Sequence, residues 1–213
     1  ASVLDNLETI PRSLHFWRAL SQWMGGLGVV VFFVAVLSFL GAGAKVLFSR
    51  ESSAQAADLN TSRVQEGVLR LVKLYLALSL LCAAVFWICG LSPFEAVIHM
   101  FTTLSTGGFS TRSASIAAFS NPALEWAMIL FMAIGGTSFP IMIELLRRNW
   151  RTLGSSSEVK AYYGLLLAFT VVIAAFLVID QRQDAGLPGA LRYAAFQVVS
   201  IMTTTGYATA DFD

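Results

Sequence analysis

Four stretches of the chain, residues 22–44, 74–91, 126–143 and 161–179, carry no charged side chain. With modest extension each is long enough, at 1.5 Å per helical residue, to cover the roughly 30 Å hydrocarbon core of a bilayer. Four membrane spans are the simplest count. The first stretch contains Val29-Val30-Val31-Phe32-Phe33-Val34-Ala35-Val36-Leu37, which lacks the polar stripe that a helix of a soluble bundle needs. It is also too long for a cleaved signal peptide, and an amphipathic stretch precedes it instead of a short basic region. Between the long runs lie two briefer amphipathic segments, 94–103 and 190–202, too short to span. Each leads into a hydroxyl-rich glycine loop: Ser105-Thr106-Gly107-Gly108-Phe109-Ser110-Thr111 and Thr203-Thr204-Thr205-Gly206-Tyr207-Ala208-Thr209. A short helix that stops inside the membrane and returns as a glycine loop is the pattern of a re-entrant pore loop.

The two loops belong to an internal repeat. A shift of 98 residues sets Gly108 on Gly206, Thr106 on Thr204, Phe109 on Tyr207 and Thr111 on Thr209. The unit reads as outer helix, pore helix, glycine loop, inner helix. The outer helix of one unit is expected over 68–89, with Gly90 as its stop. Ser92-Pro93 caps the pore helix, and Asn121-Pro122 opens an inner helix that ends near residue 147. The next unit has its outer helix at 161–179, a turn containing Pro188 over 181–189, and its pore helix at 190–202. Residues 1–48 then read as the post-filter linker and inner helix of a first repeat. Residues 49–66 form a cytoplasmic loop, 67–150 a second repeat with filter loop 104–111, and 151–213 a third repeat through filter loop 203–209. The expectation is a portion of a longer protein.

Composition narrows the class. The chain is 56% hydrophobic and 13% charged, with a net charge near +1, which implies a lipid bilayer as partner and no nucleic-acid surface. Basic residues concentrate in the loops at 45–73 (Lys45, Arg50, Arg63, Arg70, Lys73) and 147–160 (Arg147, Arg148, Arg151, Lys160), whereas residues 91–125 hold only Arg112. This bias assigns 45–73 and 147–160 to the cytoplasm and both glycine loops to the outside. Cys82 and Cys89, seven residues apart on one helix face, read as packing thiols.

Glycine permits backbone angles closed to other residues, so successive carbonyls can turn toward one axis. The oxygens of Ser105, Thr106, Gly107, Gly108, Thr203, Thr204, Thr205 and Gly206 are the candidate ligands. No carboxylate precedes the glycine in either loop, which argues against a divalent-cation ring, and the lack of Arg or Lys there argues against an anion path. Asp211 and Asp213 could gather cations at an outer mouth, or act as a solvated rim or helix cap. The C-terminal ends of the pore helices favour a cation. Gly25-Gly26 and Gly135-Gly136 read as close helix contacts or flexible points. His99 suits hydrogen bonding within the pore helix better than tuning of the pore by protonation, and Arg112 could pair with Glu95 or Glu125.

These residues resemble the bacterial Trk-type potassium-uptake proteins, the TrkH/TrkI-like membrane subunits of the Trk/Ktr/HKT superfamily. The run from Ser105 to Ser115, STGGFSTRSAS, looks like their second filter segment, and TTTGYATADF, from Thr203 to Phe212, like their third. Gln22-Trp23-Met24-Gly25-Gly26-Leu27-Gly28 is similar to the start of their first inner helix, with Ile10-Pro11 in the linker before it. The resemblance implies an all-α integral membrane fold of four such repeats around a pseudo-fourfold pore, with one filter glycine each, here Gly108 and Gly206. It implies a homodimer in the bacterial cytoplasmic membrane. K⁺ would be the transported ion, no cofactor would sit in this segment, and nucleotide would enter only through a separate cytosolic regulatory subunit. The expected function is monovalent-cation translocation through backbone carbonyls of four pore loops, two of them present here. Ion-coupled K⁺ symport is the alternative within transport. A membrane enzyme is disfavoured because no nucleophile–base pair or dense His/Asp/Glu cluster appears at a recognisable spacing, and a non-conducting structural subunit would not need paired re-entrant loops.

Overall fold

The structure, a computed structural model, describes residues 6–39, 61–138, 141–142, 156–180 and 186–210, with side chains described for these apart from 29–39 and 61–68. Among the described residues the bounded α-helices are, in chain order, α1 (Arg12–Phe39), α2 (Thr61–Ile88), α3 (Pro93–Leu104), α4 (Pro122–Gly135), α5 (Ser157–Ile179) and α6 (Gly186–Met202). Two short 3₁₀ turns, Leu7–Thr9 and Ser115–Phe119, precede α1 and α4.

Local chemistry accounts for the boundaries. Helix α2 ends where Gly90, at φ +103°, lets the Leu91 amide reach back to the Phe86 carbonyl (3.2 Å) and the Gly90 amide to Trp87 (2.9 Å). This is a Schellman stop, with the positive-φ position filled by glycine. Helix α3 starts on a reciprocal cap: the Ser92 hydroxyl accepts from the Glu95 amide, and the Glu95 carboxylate accepts from the Ser92 amide, with Pro93 in the first turn where its missing amide is harmless. Asn121 caps α4 through the amides of Ala123 and Leu124, and its side-chain amide donates to the Cys89 carbonyl at 2.6 Å, tying α4 to the end of α2. Pro188, expected in a turn, stands instead in the first turn of α6.

Helices α2 (over Leu69–Ile88) and α5 are long and apolar enough to cross a membrane, and they present Leu80, Trp87, Leu167 and Phe176 outward. The third apolar stretch does not continue as one rod. Helix α4 stops at Gly135, because the Gly136 amide bonds Met132 and the Thr137 amide turns to Ile134 at 3.0 Å; helical backbone resumes at 141–142. The short helices α3 and α6 lie inside. Their residues Ile98, His99, Thr102, Thr103, Ala194, Phe196 and Ser200 are fully or almost fully buried among α1, α2, α4 and α5. Cys82 is a buried free thiol, packed in the same core as Phe86 and Met128, and Cys89 is a half-buried one.

Candidate functional site

The two short helices, α3 and α6, end in the same unusual turn. After α3 the Thr106 amide bonds the Thr103 carbonyl (3.1 Å) and the Gly107 amide bonds Thr102 (2.7 Å); after α6 the Thr204 amide bonds Ile201 (3.0 Å) and the Thr205 amide bonds Ser200 (2.9 Å). These are Schellman bonds again, but the left-handed position that glycine normally fills is occupied by threonine, Thr106 at φ +49° and Thr204 at φ +59°. A β-branched residue there is a conformational outlier costing roughly 1–2 kcal/mol, so surrounding bonds must hold the turn in place. Glycine follows at the next positive-φ positions, Gly108 at +64° and Gly206 at +83°.

One residue in each of these two helices does most of the holding. The Thr102 carbonyl also accepts the Gly108 amide, and the Ser200 carbonyl the Gly206 amide, each at 3.2 Å. The hydroxyl of the same residue donates forward, from Thr102 to the Phe109 carbonyl (2.9 Å) and from Ser200 to the Tyr207 carbonyl (2.7 Å). With the Ser105 amide on Phe101 and the Thr203 amide on Val199, four consecutive amides, 105–108 and 203–206, bond back to the preceding short helix. As a consequence the carbonyls of Thr106, Gly107, Gly108, Thr204, Thr205 and Gly206 accept no hydrogen bond from the described residues. Unpaired carbonyl oxygens beside glycine are what a dehydrated cation can use.

The loops also touch each other. A β-carbon at Gly108 would collide with the Thr205 carbonyl oxygen, and one at Gly107 would stand 2.5 Å from Cγ of Gln22 on α1. The Tyr207 ring is buried in the preceding unit, its hydroxyl 2.6 Å from the Thr102 hydroxyl and 3.3 Å from that of Thr103. The Ala208 carbonyl accepts the amides of Ile116 and Ala117, and its own amide donates to the Ser115 hydroxyl.

A protein family described as TrkH, cation transport protein, matches residues 1–182. The chain belongs to this family. It is 35% identical over 213 residues to the Trk system potassium uptake protein TrkI of Halomonas elongata, covering 100% of this chain and 42% of that relative. It is 32% identical to TrkH of Salmonella typhimurium, covering 98% of this chain and 44% of that relative. The crystal structure of the potassium transporter TrkH from Vibrio parahaemolyticus superposes with a TM-score of 0.80 at 29% identity, over 99% of this chain and 42% of that one. The TrkH-family chain therefore spans under half the length of the curated relatives it matches, and its all-α membrane fold corresponds to part of the TrkH architecture.

The candidate ligands divide by geometry. Ser105, Thr203 and Thr205 turn their hydroxyls away from the loop face. Ser105 donates to Phe101 (2.7 Å), Thr203 donates to Val199 (2.7 Å), and the Thr203 and Thr205 hydroxyls lie 2.7 Å apart in the protein interior. Any direct contribution from these three residues would have to come from the backbone. Thr204 and Gly206 are exposed, while Thr106, Gly107 and Gly108 are half-buried. Asp211 and Asp213 lie outside the described residues. Among the described residues no group of His, Cys, Asp and Glu forms a metal cluster.

His99 holds its loop by hydrogen bonds. Its Nδ1 lies 2.8 Å from the Glu95 carbonyl and its Nε2 3.0 Å from the Ser110 hydroxyl; those partners assign the Nδ1–H tautomer, with Nε2 accepting. Glu95 pairs with Arg112 at 2.9 Å, whereas Glu125 faces Arg192 of α6, 2.9 Å away but bent out of hydrogen-bond alignment. Burial pushes the Glu95 carboxyl up, yet the Ser92 hydroxyl and Arg112 hold it, on balance, below its ordinary value. The Thr102 and Ser200 clamps escaped single-residue reading, although aligning the repeats places hydroxyl residues at both positions.

Proposed function

We propose that the protein carrying this chain moves monovalent cations, K⁺ first, across the bacterial cytoplasmic membrane, and that the loops centred on Gly108 and Gly206 form two quarters of its selectivity filter. The observation that carries the reading is the duplicated turn. In both loops successive amides are committed to the pore helix, and the carbonyls from Thr106 to Gly108 and from Thr204 to Gly206 accept no hydrogen bond from the described residues. A cation entering there exchanges water oxygens for carbonyl oxygens, and it leaves again because each contact is an uncharged dipole. Residues 67–150 and 151–213 are the second and third repeats, with 1–48 closing the first. Gly108 packs against Thr205 of the next loop; a fourfold ring asks the following loop to pack in the same way against Gly206. Membership of the TrkH family and the names of its potassium-uptake relatives support K⁺ as the ion. The same family likeness favours a homodimer with a cytosolic nucleotide-binding regulatory subunit, the basic loops 45–73 and 147–160 facing it and the filter loops facing outside.

The test is rubidium uptake with sodium competition in the full-length protein carrying Gly108→Ala or Gly206→Ala. Both variants are expected to lose at least about tenfold in flux or in K⁺ over Na⁺ preference, because each forces a side chain into positive φ, at roughly 1–2 kcal/mol, and places a methyl where a neighbouring loop must fit. Normal flux and preference in Gly206→Ala would remove that residue from the filter.

A further inference from the structure

The seam between one unit's inner helix and the next unit's filter turn is built twice from the same three parts. At the first seam, a β-carbon on Gly26 of α1 would stand 3.1 Å from Cβ of Ser105 and 3.3 Å from the hydroxyl of Tyr75. That hydroxyl donates to the Trp23 carbonyl at 3.4 Å. At the second, a β-carbon on Gly136 would stand 2.6 Å from the hydroxyl of Tyr162 and 2.7 Å from Cγ2 of Thr203. The Tyr162 hydroxyl donates to the Ala133 carbonyl at 3.1 Å. In each case the tyrosine comes from the outer helix and bonds the carbonyl three residues before the glycine, and the glycine faces both that hydroxyl and the residue that opens the filter turn. The parts recur at different intervals: 110 residues from Gly26 to Gly136, 87 from Tyr75 to Tyr162 and 98 from Ser105 to Thr203. Copying a single block would give one interval, so the arrangement has been kept while the connecting segments changed length.

The second seam is the tighter one, for a backbone reason. Because the Thr137 amide turns to Ile134, the Ala133 carbonyl loses its ordinary helical donor and takes hydroxyls instead, from Tyr162 and, at 2.9 Å, from Thr137. The Thr137 hydroxyl in turn lies 2.8 Å from that of Tyr163. Gly135, one residue before Gly136, faces the Thr103 and Leu104 carbonyls at the end of α3, each at 3.3 Å from a built β-carbon. The broken end of α4 is therefore wedged between both filter turns, Gly135 against one and Gly136 against the other.

We propose that Tyr75 and Tyr162 are positioning residues for ion selection: each hydroxyl pins the preceding inner helix against the first residue of a filter turn and so sets how far that loop's carbonyls stand from the ion. This rests on the filter reading above. Discrimination between K⁺ and Na⁺ by carbonyls depends on cavity size and on the number and field of the dipoles, and a turn backed by a glycine face with no room for a methyl has one seat. Removing the hydroxyl frees that seat without touching the loop.

The experiment uses the full-length protein in four forms, Tyr75→Phe, Tyr162→Phe, Gly136→Ala and the double variant Gly136→Ala/Tyr162→Phe, with Gly108→Ala alongside. Rubidium KM and maximal rate, sodium competition and melting temperature are measured for each. Tyr162→Phe is expected to lower K⁺ over Na⁺ preference roughly 3- to 10-fold, the factor one ordinary hydrogen bond carries, and Tyr75→Phe to lower it less. Gly136→Ala abolishes uptake, and the double variant regains part of it because one of the two collisions is gone. If both Tyr→Phe variants keep wild-type preference, whether or not their melting temperature falls, the tyrosines are structural and the proposal is overturned. If Gly108→Ala also leaves both flux and preference unchanged, the filter reading itself fails; if only the tyrosine variants do, it stands.

Discussion

The two glycine loops share a backbone and differ in what props it. Thr102 and Ser200 make equivalent bonds, and Thr106 and Thr204 occupy the same left-handed turn. Beyond that, the 104–111 loop is braced from within its own unit and from behind, by His99 on Ser110 and by the Gln22 side chain filling the space that Gly107 leaves open. The 203–209 loop is braced across to its neighbour, by Tyr207 on Thr102 and Thr103 and by Ala208 on the Ser115–Phe119 turn. The equivalent residues explain the change: Gln197 stands where His99 does, Ala208 where Ser110 does, and Tyr207 where Phe109 does. The hydroxyl that Ala208 lacks within its own loop is replaced by that of Tyr207, reaching back to Thr102 and Thr103. Carbonyl geometry is thus the shared element, and side-chain support has diverged around it.

The largest test of that contrast compares His99→Ala with Gln197→Ala. His99 is fully buried, bonded at both nitrogens and edge-on to Phe119 at 5.4 Å. Its removal leaves a cavity and takes one partner each from the Glu95 carbonyl and the Ser110 hydroxyl, for which roughly 2–4 kcal/mol is expected. Gln197 has a buried carbonyl oxygen without a partner, so its truncation should cost under about 1 kcal/mol. Thermal unfolding of the full-length protein in detergent reads both. Equal losses would mean that the two loops are braced alike.

A middle-sized effect separates the aromatics. Tyr207→Phe deletes the hydroxyl that binds α3, and roughly 1–2 kcal/mol of seating is lost with it. Sodium competition against rubidium uptake should then rise several-fold. Phe109→Tyr adds a hydroxyl to a half-buried ring lying 4.2 Å from the Arg18 guanidinium carbon, and uptake should stay within about twofold of wild type, since surface changes away from core contacts rarely exceed about 0.5 kcal/mol. A Tyr207→Phe protein with unchanged competition would show that the cross-unit brace is dispensable.

Much of this was legible in the residues. Hydroxyl–glycine–aromatic runs after short amphipathic segments mark both loops, and Ser92-Pro93 and Asn121-Pro122 mark their helix starts because capping is local chemistry. Other features depend on context. Threonine at a left-handed turn contradicts its own preference, and only the bonds around Thr102 and Ser200 make it stable. The break after Gly135 hides inside an apolar run that continues to residue 143, since hydropathy is blind to a turned amide. Tyr75 and Tyr162 do not align under the 98-residue shift that aligns the loops, so their common role appears only when the helices are packed. The Ser105, Thr203 and Thr205 hydroxyls suggest ligands by type, but Ser105 and Thr203 bond back to the preceding short helix and Thr205 pairs with Thr203.

The smallest predicted effect concerns the flank of the glycine loops, where the contrast is one of presence. Arg112 and Glu95 pair at 2.9 Å, whereas Ala210 and Tyr193 occupy the corresponding positions of the third unit. The Arg112 side chain is 46% exposed and that of Glu95 16%, so the pair is expected to contribute no more than about 1 kcal/mol. Glu95→Gln isolates that charge term, because glutamine can still accept the Ser92 amide in the capping box. The folded carboxyl titrates below its ordinary value of 4.5, so the ionised form is the stabilising one. Its contribution is complete above the unfolded value and fades as the pH falls through the folded one. Unfolding midpoints of wild type and Glu95→Gln should therefore differ slightly at pH 7, less at high salt, and converge in acid below pH 4.5. A gap that persists undiminished in acid would assign the effect to the cap instead of the ion pair, and the flank of the 104–111 loop would then be held by hydrogen bonding like the rest of it.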